Sequence, residues 1–516
     1  MAFTLTVAEL IDADTSGLLS KHPTWERVPL ADVALILNGA PFDSALFSTT
    51  EGLPLVRIRD VIAGETNTYY TGAYEDAYLV RQGELLVGMD GDFHTGSWGA
   101  RTALLNQRVC KISPTEALYD KQLLALALPG YLAAINANTP SVTVKHLSSK
   151  TIGEIGLPLP SRAEQTRIVT KLEELLSDLD AGVAELKAAQ KKLAQYRQSL
   201  LKAAVEGALT AEWRAQHTST ETGAQLLERI LTDRRARWEA KQLAKFKAQS
   251  TPPPKDWQQR YVAPAQPDTT GLSALPEGWV WASIEQVCDV LAGFAFSSTD
   301  FCKQGVPVTK IANVGYGVYE VGTEQEYLHP SFLKENSEFA ISAGNILIAL
   351  TRPITNGTLK SCLYPGNLPI SLLNQRVAAL KPVSSILTNY IYLVTRTPNF
   401  REAVRSSTSE TLQPNMSPNA LKAISLPLPT MNEAQTLIDL AAVQLVEIDS
   451  QAAAVGIALK QSTAQRQNIL RAAFSGQLVP QDPNDEPAGV LLARIRAERA
   501  AQGAQPRKRR AAKDAS

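Results

Sequence analysis

Hydrophobic positions along this chain follow two periods, and each period is written twice. Ile168, Leu172, Leu175, Leu179, Gly182, Leu186, Ala189, Leu193, Tyr196, Leu200 and Ala203 alternate by four and three. That 3.5-residue repeat predicts a helix with a coiled-coil seam. It extends over 163–209, about 70 Å at 1.5 Å per residue, with Gly207 as its stop. A second stretch carries Leu437, Ala441, Gln444, Ile448, Val455, Ala458, Ile469 and Ala472 in a looser version of the register. Its small and polar members let a partner helix approach closely, and the first helix is the expected partner. The competing expectation is that each seam packs on its own globular part. Ser161-x-x-Glu164 and Thr430-x-x-Glu433 stand before the two stretches, and each predicts a capping box.

Outside these stretches the apolar runs are short. ELLVGM, QRVCKI, NILIAL and RVAAL are rich in β-branched residues and bounded by Gly, Pro or Asn, which predicts strands in mixed α/β domains. The hexapeptide LLNQRV occurs at 104–109 and again at 372–377. Around it the two halves correspond in order: GAPF with GFAF, GLPLVRI with GVPVTKI, GELLVGM with GNILIAL, LPLP with LPLP, and RQSLLKAAVEGAL with RQNILRAAFSGQL. ETGAQLLERI and EPAGVLLARI extend the series. The chain is therefore one unit written twice, each copy a globular part followed by a helical part. LLNQRV is expected to enter a buried strand with Asn106/Gln107 and Asn374/Gln375 at its mouth. Those amides either satisfy neighbouring backbone groups or contact a ligand.

Composition narrows the function classes. The 516 residues, with 44% hydrophobic and 20% charged positions, fit several ordinary folded domains. Four scattered cysteines without CxxC spacing and five scattered histidines argue against a zinc or disulfide framework and for a reducing cytoplasm. No membrane span and no secretion signal are expected. Net charge is zero, and the first 150 residues hold more Asp and Glu than Lys and Arg, so any nucleic-acid face there must be a local arrangement. No phosphate loop G-x-x-x-x-G-K-[ST], no G-x-G-x-x-G after a strand, no G-x-S-x-G and no H-E-x-x-H occurs. There is no N-P-P-aromatic segment to hold a flipped adenine. Asp90 and Asp92 in MDGDF are expected to form a turn, with metal binding or acid–base work as the alternative. A binding and scaffolding protein is the reading that survives.

With LLNQRV in both globular halves, LPLP-x-x-x-E before each long helix and K/R-A-A-x-x-G-x-L at each helix end, the chain resembles the DNA specificity subunits of type I restriction–modification systems. The resemblance covers nearly the whole length. It implies two target recognition domains separated by long helices that pair as an antiparallel coiled coil. Residues 1–156 would be the first recognition domain, 157–249 the central helical spacer, 250–271 a Pro-rich linker, 272–425 the second recognition domain, and 426–516 the distal spacer with a basic tail. It further implies a non-catalytic cytoplasmic subunit that reads a bipartite site in double-stranded DNA. Methyltransferase subunits and a restriction/translocase subunit would be its partners. S-adenosylmethionine, ATP and Mg2+ would belong to those partners, and this chain would bind no cofactor or metal. A helix of about 70 Å would match about 20 base pairs at 3.4 Å each.

Within each domain the resemblance points to the loops GMDGDFHTGSWGAR (88–101) and TRPITNGTLK (351–360) as DNA-facing. Arg101, Arg352 and Lys360 are the expected phosphate or guanine partners. Asp92 belongs to the first loop, and His94, Thr351 and Asn356 are expected at base edges. Phe93 and Trp98 either pack the loop or wedge at the duplex. The rival reading is a scaffold of two α/β modules that binds protein and no DNA.

Overall fold

The computed structural model describes residues 5–139, 145–322, 325–409 and 413–503. The basic tail 506–516 lies outside them. By packing, the chain divides into two units, residues 1–187 with 456–516 and residues 188–455, and the two are built alike.

In the first unit a four-stranded sheet runs in the order Ala34–Asn38, Val109–Pro114, Leu85–Gly88, Thr95–Ser97, all antiparallel. A five-stranded sheet runs Phe47–Ser48, Tyr69–Tyr70, Leu53–Val56, Ala103–Leu105, Leu79–Val80, with one parallel pair between Leu53–Val56 and Ala103–Leu105. A third, two-stranded sheet joins Glu26–Pro29 to Gly156–Leu159. The second unit repeats all three. Its four-stranded sheet is Cys288–Ala292, Val377–Pro382, Ile346–Ala349, Ser361–Leu363. Its five-stranded sheet again has one parallel pair, Val306–Thr309 with Ser371–Leu373, and its small sheet joins Val280–Ser283 to Ser425–Leu428. The second unit adds a hairpin, Ile354–Thr355 with Thr358–Leu359.

This topology corrects the expected place of LLNQRV. The hexapeptide does not enter one strand: its first two residues end a strand of the five-stranded sheet, and its last begins a strand of the four-stranded sheet. Asn-Gln-Arg is the corner between sheets. The buried residues on both sides, Ala103–Leu105 before the corner and Val109 and Cys110 after it, explain why the apolar run looks continuous.

The long helices are Arg162–Val205 and Met431–Phe474, each of 44 residues. Both are followed by a glycine, which for the first helix is the predicted stop Gly207. Gly207 and Gly476 have φ of +71° and +72°. The next amides, Ala208 and Gln477, reach back to the carbonyls of Ala203 and Ala472, the pattern of a Schellman stop. In the first unit Ile168, Leu172 and Leu176 share a core with Ile469, Ala473 and Phe474, and Asp180 pairs with Arg466. In the second, Leu200, Leu201 and Ala204 share a core with Leu437, Ala441, Leu445 and Ile448, and Arg197 pairs with Asp449. The pairing is antiparallel in each, and each seam packs both on the other helix and on a globular domain, so the two expectations hold together. Met431–Phe474 is long and apolar enough by composition to cross a membrane, with a window of mean hydropathy 1.3. Its residues Ala434, Leu437, Ala441, Leu445 and Ile448 are buried in the core of the second unit.

The capping boxes form only by half. Ser161 and Thr430 accept the amides of Glu164 and Glu433 at 3.0 and 3.2 Å. The carboxylates do not return to the cap backbone. Glu164 accepts the Trp25 indole N–H at 3.0 Å and pairs with Gln481. Glu433 accepts the Trp279 indole N–H at 2.8 Å and the Thr210 hydroxyl at 2.7 Å, with Arg214 at 3.6 Å. Both carboxylates are buried, so each clamps a helix start to the tryptophan just before the first strand of its globular domain. Within 250–271, Trp257 stacks on Trp238, and Ala265 and Asp268 bond to Glu285 and Ser425.

Candidate nucleic-acid interface

At one end of each four-stranded sheet the same four pieces of chain meet. In the first unit they are Gly39–Ala40 after the first strand, the Asn106-Gln107-Arg108 corner, the turn 89–94, and the segment 145–147. The Gly39 and Ala40 amides donate to Val109 and Leu105, Met89 N–H to Arg108, Gly91 N–H to Lys145, and Leu147 N–H to Met89. In the second unit Gly293 and Phe294 donate to Val377 and Leu373, Leu350 N–H to Arg376, Arg352 N–H to Pro414, and Met416 N–H to Leu350. The backbone circuit is the same bond for bond. Glycine is required at 39 and 293 because a Cβ there would collide with the carbonyl of Asn106 or Asn374. Asn106 holds its corner by accepting the Gln107 amide at 2.7 Å, so it serves the backbone.

The side chains on this shared frame differ between the copies. In the first mouth Asp90 is the hub: its carboxylate accepts from His146 Nδ1 at 2.6 Å and forms an ion pair with Arg108, whose Nε lies 3.4 Å away. His146 and Arg108 are more than half exposed while Asp90 is 21% exposed, so one ion-paired hub presents two donors outward. Asp92 and His94 stand beside it, exposed and 3.7 Å apart. In the second mouth the Asp90 and His146 positions are Thr351 and Asn415, which form the equivalent bridge, and Arg108 becomes Arg376. Arg352, at the place of Gly91, is exposed and held at φ +46°, a conformation that costs a non-glycine residue of order 1 kcal/mol or more. Lys360 stays at this end, where its carbonyl accepts from Ala349 and its ammonium lies 5.8 Å from the Tyr316 ring centre. Asn356 sits exposed at the hairpin tip.

Of the residues singled out from sequence, the structure therefore gathers Asp92 and His94 in one mouth and Thr351, Arg352, Lys360 and Asn356 at the other. It does not gather three of them. Phe93 and Trp98 are each 1% exposed, Phe93 in the main core and Trp98 in the sheet core with its indole bonded to the Arg101 carbonyl. In the structure both pack the loop. Arg101 lies beyond the strand Thr95–Ser97, whose register carries the chain away from the mouth, and its guanidinium rests over the Tyr69 ring. The expected single loop 88–101 is a turn, a return strand and a second turn. Arg108, Arg376, His146 and Asn415 were not singled out. The two arginines had a signal, since they stand inside the repeated hexapeptide; His146 and Asn415 had none, because they arrive from 56 and 64 residues away. Among the described residues no group of three His, Cys, Asp or Glu side chains could hold a metal ion.

A family model described as "Type I restriction modification DNA specificity domain" matches residues 23–189 and 276–439. The chain is 31% identical over 516 residues to the type I restriction enzyme EcoBI specificity subunit of Escherichia coli, covering 98% of each. It is 23% identical over 438 residues to the EcoDI specificity subunit of Escherichia coli, covering 81% of this chain and 85% of the relative. Among solved structures, a chain reported under "complex assembly and conformational transition of the type I R-M system" matches with a TM-score of 0.58 at 16% identity. The match covers 89% of this chain and 99% of that one, a likeness of fold.

Proposed function

The chain belongs to the type I restriction–modification DNA specificity family, and from that premise we propose how its two domains divide the labour of reading DNA. Each mouth faces one half of a bipartite duplex site. Arg108 and Arg376, the cations common to both copies, bind backbone phosphate and set the register without reading sequence. The polar pairs that differ on the same frame, Asp90–His146 and Thr351–Asn415, read bases. Their chemistry fits that role: a carboxylate accepts from cytosine N4, an amide pairs with adenine N6 and N7, and Arg352 or Lys360 can reach guanine O6 and N7. The observation that carries this reading is the identity of the backbone circuit beside the divergence of its side chains. Readout varies most cheaply where the scaffold does not move.

The chain itself acts as a non-catalytic reader. Methyltransferase subunits and a restriction/translocase subunit assemble on it and bring S-adenosylmethionine, ATP and Mg2+. The test uses the complex reconstituted with its methyltransferase subunits. Arg108→Ala should weaken binding to all duplexes and flatten the salt dependence by about one unit of slope. Asp90→Asn with His146→Gln should instead change which sequence is preferred, by about 1–3 kcal/mol at one base pair. Unchanged preference with the second variant would remove the assignment of readers.

A further inference from the structure

The second unit holds a small cleft that adjoins the Lys360 side of its mouth, sharing Tyr316 and the strand start at 358–361 with it. Its volume is about 180 Å3, and it lies between the first long helix at 197–201, the strand start at 358–361 and the helix junction at 395–401. Three half-buried guanidinium groups line it: Arg197, Arg396 and Arg401. Arg197 pairs with Asp449. Arg396 rests over the Tyr392 ring, 5.7 Å from its centre. Among the described residues no carboxylate lies within ion-pair distance of Arg396 or Arg401. Burial holds the Arg197 guanidinium below its ordinary value, and the charge of Arg396 adds to the effect.

Three cations thus line one partly dehydrated cleft and only Arg197 has a carboxylate at hand, an arrangement that an entering anion would relieve. The cleft is smaller than the roughly 300–1,000 Å3 of pockets for drug-sized molecules, which excludes a whole nucleotide and leaves room for one oxyanion with water. Arginine forks match tetrahedral phosphate oxygens in pairs. The first unit offers no such junction: its helix Lys121–Ala137 is continuous, whereas the second unit breaks the chain into Ser385–Thr395 and Pro398–Ser406 with Arg396 at the break.

We propose that Arg396 and Arg401, with Arg197, bind one phosphate-class oxyanion, supplied either by a phosphodiester of the DNA backbone or by free phosphate. The first source rests on the reading of the chain as a DNA specificity subunit; the second does not. The experiment compares the parent complex with the Arg396→Ala/Arg401→Ala variant in two arms. One arm titrates inorganic phosphate against chloride at equal ionic strength and follows amide exchange over 395–401. The other measures affinity for a target duplex and an unrelated duplex at several salt concentrations.

A phosphodiester source predicts that the variant binds both duplexes more weakly, roughly fivefold at 0.15 M salt for one phosphate no longer neutralised, with a slope shallower by about one. A free-phosphate source predicts that phosphate slows exchange in the parent and not in the variant, while duplex binding stays the same. Either result supports the site. No phosphate protection together with unchanged affinity and slope overturns it. If the parent binds no duplex, the functional reading fails and the phosphate arm alone decides the site. Arg396→Lys/Arg401→Lys keeps the charge and should keep the salt slope. If that variant loses binding and both variants unfold earlier in chloride, the arginines are packing elements and the proposal is overturned.

Discussion

Removing the Glu433 carboxylate should loosen the second recognition domain from its helix by an amount the structure allows to be worked out. Glu433 is 2% exposed, Trp279 8% and Thr210 0%, so Glu433→Ala leaves an indole N–H and a hydroxyl buried with no acceptor. Each such orphan costs about 1–3 kcal/mol. Against this, the variant no longer carries the desolvation cost of a buried carboxylate, which offsets part of the loss. Arg214, at 3.6 Å, also loses its counter-charge but is near enough to solvent to rehydrate. The balance is about 3 kcal/mol, or roughly two powers of ten in a local opening equilibrium.

Whole-chain melting is a poor readout for a chain of two units. Amide exchange is better, because it resolves segments. Peptides covering 208–214, 278–283 and 430–437 should accelerate together by about a hundredfold, since all three meet at this one carboxylate. Glu433→Gln keeps an acceptor for Trp279, and Thr210 can rotate to accept from the new amide, so its effect should be under about tenfold. If Glu433→Ala accelerates exchange by less than fivefold, or only within 430–437, the carboxylate is an ordinary helix cap and the clamp argument fails.

Further consequences can be checked separately. Gly39→Ala or Gly293→Ala should disrupt its own mouth, seen as lost protection of the amides of Val109 or Val377, because a Cβ meets the carbonyl of the corner asparagine. Arg352→Gly should raise stability by about 1 kcal/mol through relief of its positive φ while weakening DNA binding; Gly91→Ala, at φ +75° with open space around its Cβ, should lower stability by a similar amount. Among the four cysteines only Cys302 is exposed, so a native-state thiol reagent should modify one site per chain, and urea should release the other three. Burial pushes the Cys110 and Cys362 thiols up to about 12 from an ordinary 9.0. The folded chain therefore keeps protons that the unfolded chain releases, and each thiol removes up to about 1.4 kcal/mol of stability per pH unit as pH rises from about 9 toward 12. Cys110→Ala should make the alkaline decline of stability shallower, measured by urea unfolding between pH 8 and 11.

What the sequence determined by itself was everything set by local period and by self-comparison. The seam marked the first long helix with its Gly207 stop, and its looser repeat marked the second, because backbone hydrogen bonds and a one-sided apolar stripe are satisfied within a few turns. The duplication was legible because the repeated segments are mostly those whose burial or close packing tolerates little else, such as LLNQRV at a corner between sheets. What only the tertiary structure decided was where polar side chains spend their bonds. Glu164 and Glu433 read as members of capping boxes three residues long, yet their carboxylates turn to Trp25 and Trp279, more than a hundred residues away. Phe93 and Trp98 read as loop residues, but the turn folds them inward. Asp90 looked like one of a pair with Asp92 and instead meets His146 and Arg108. Local propensity acts over a few bonds, whereas a buried carboxylate takes whichever donor the folded chain brings to it, and that choice is made only once the sheets have closed.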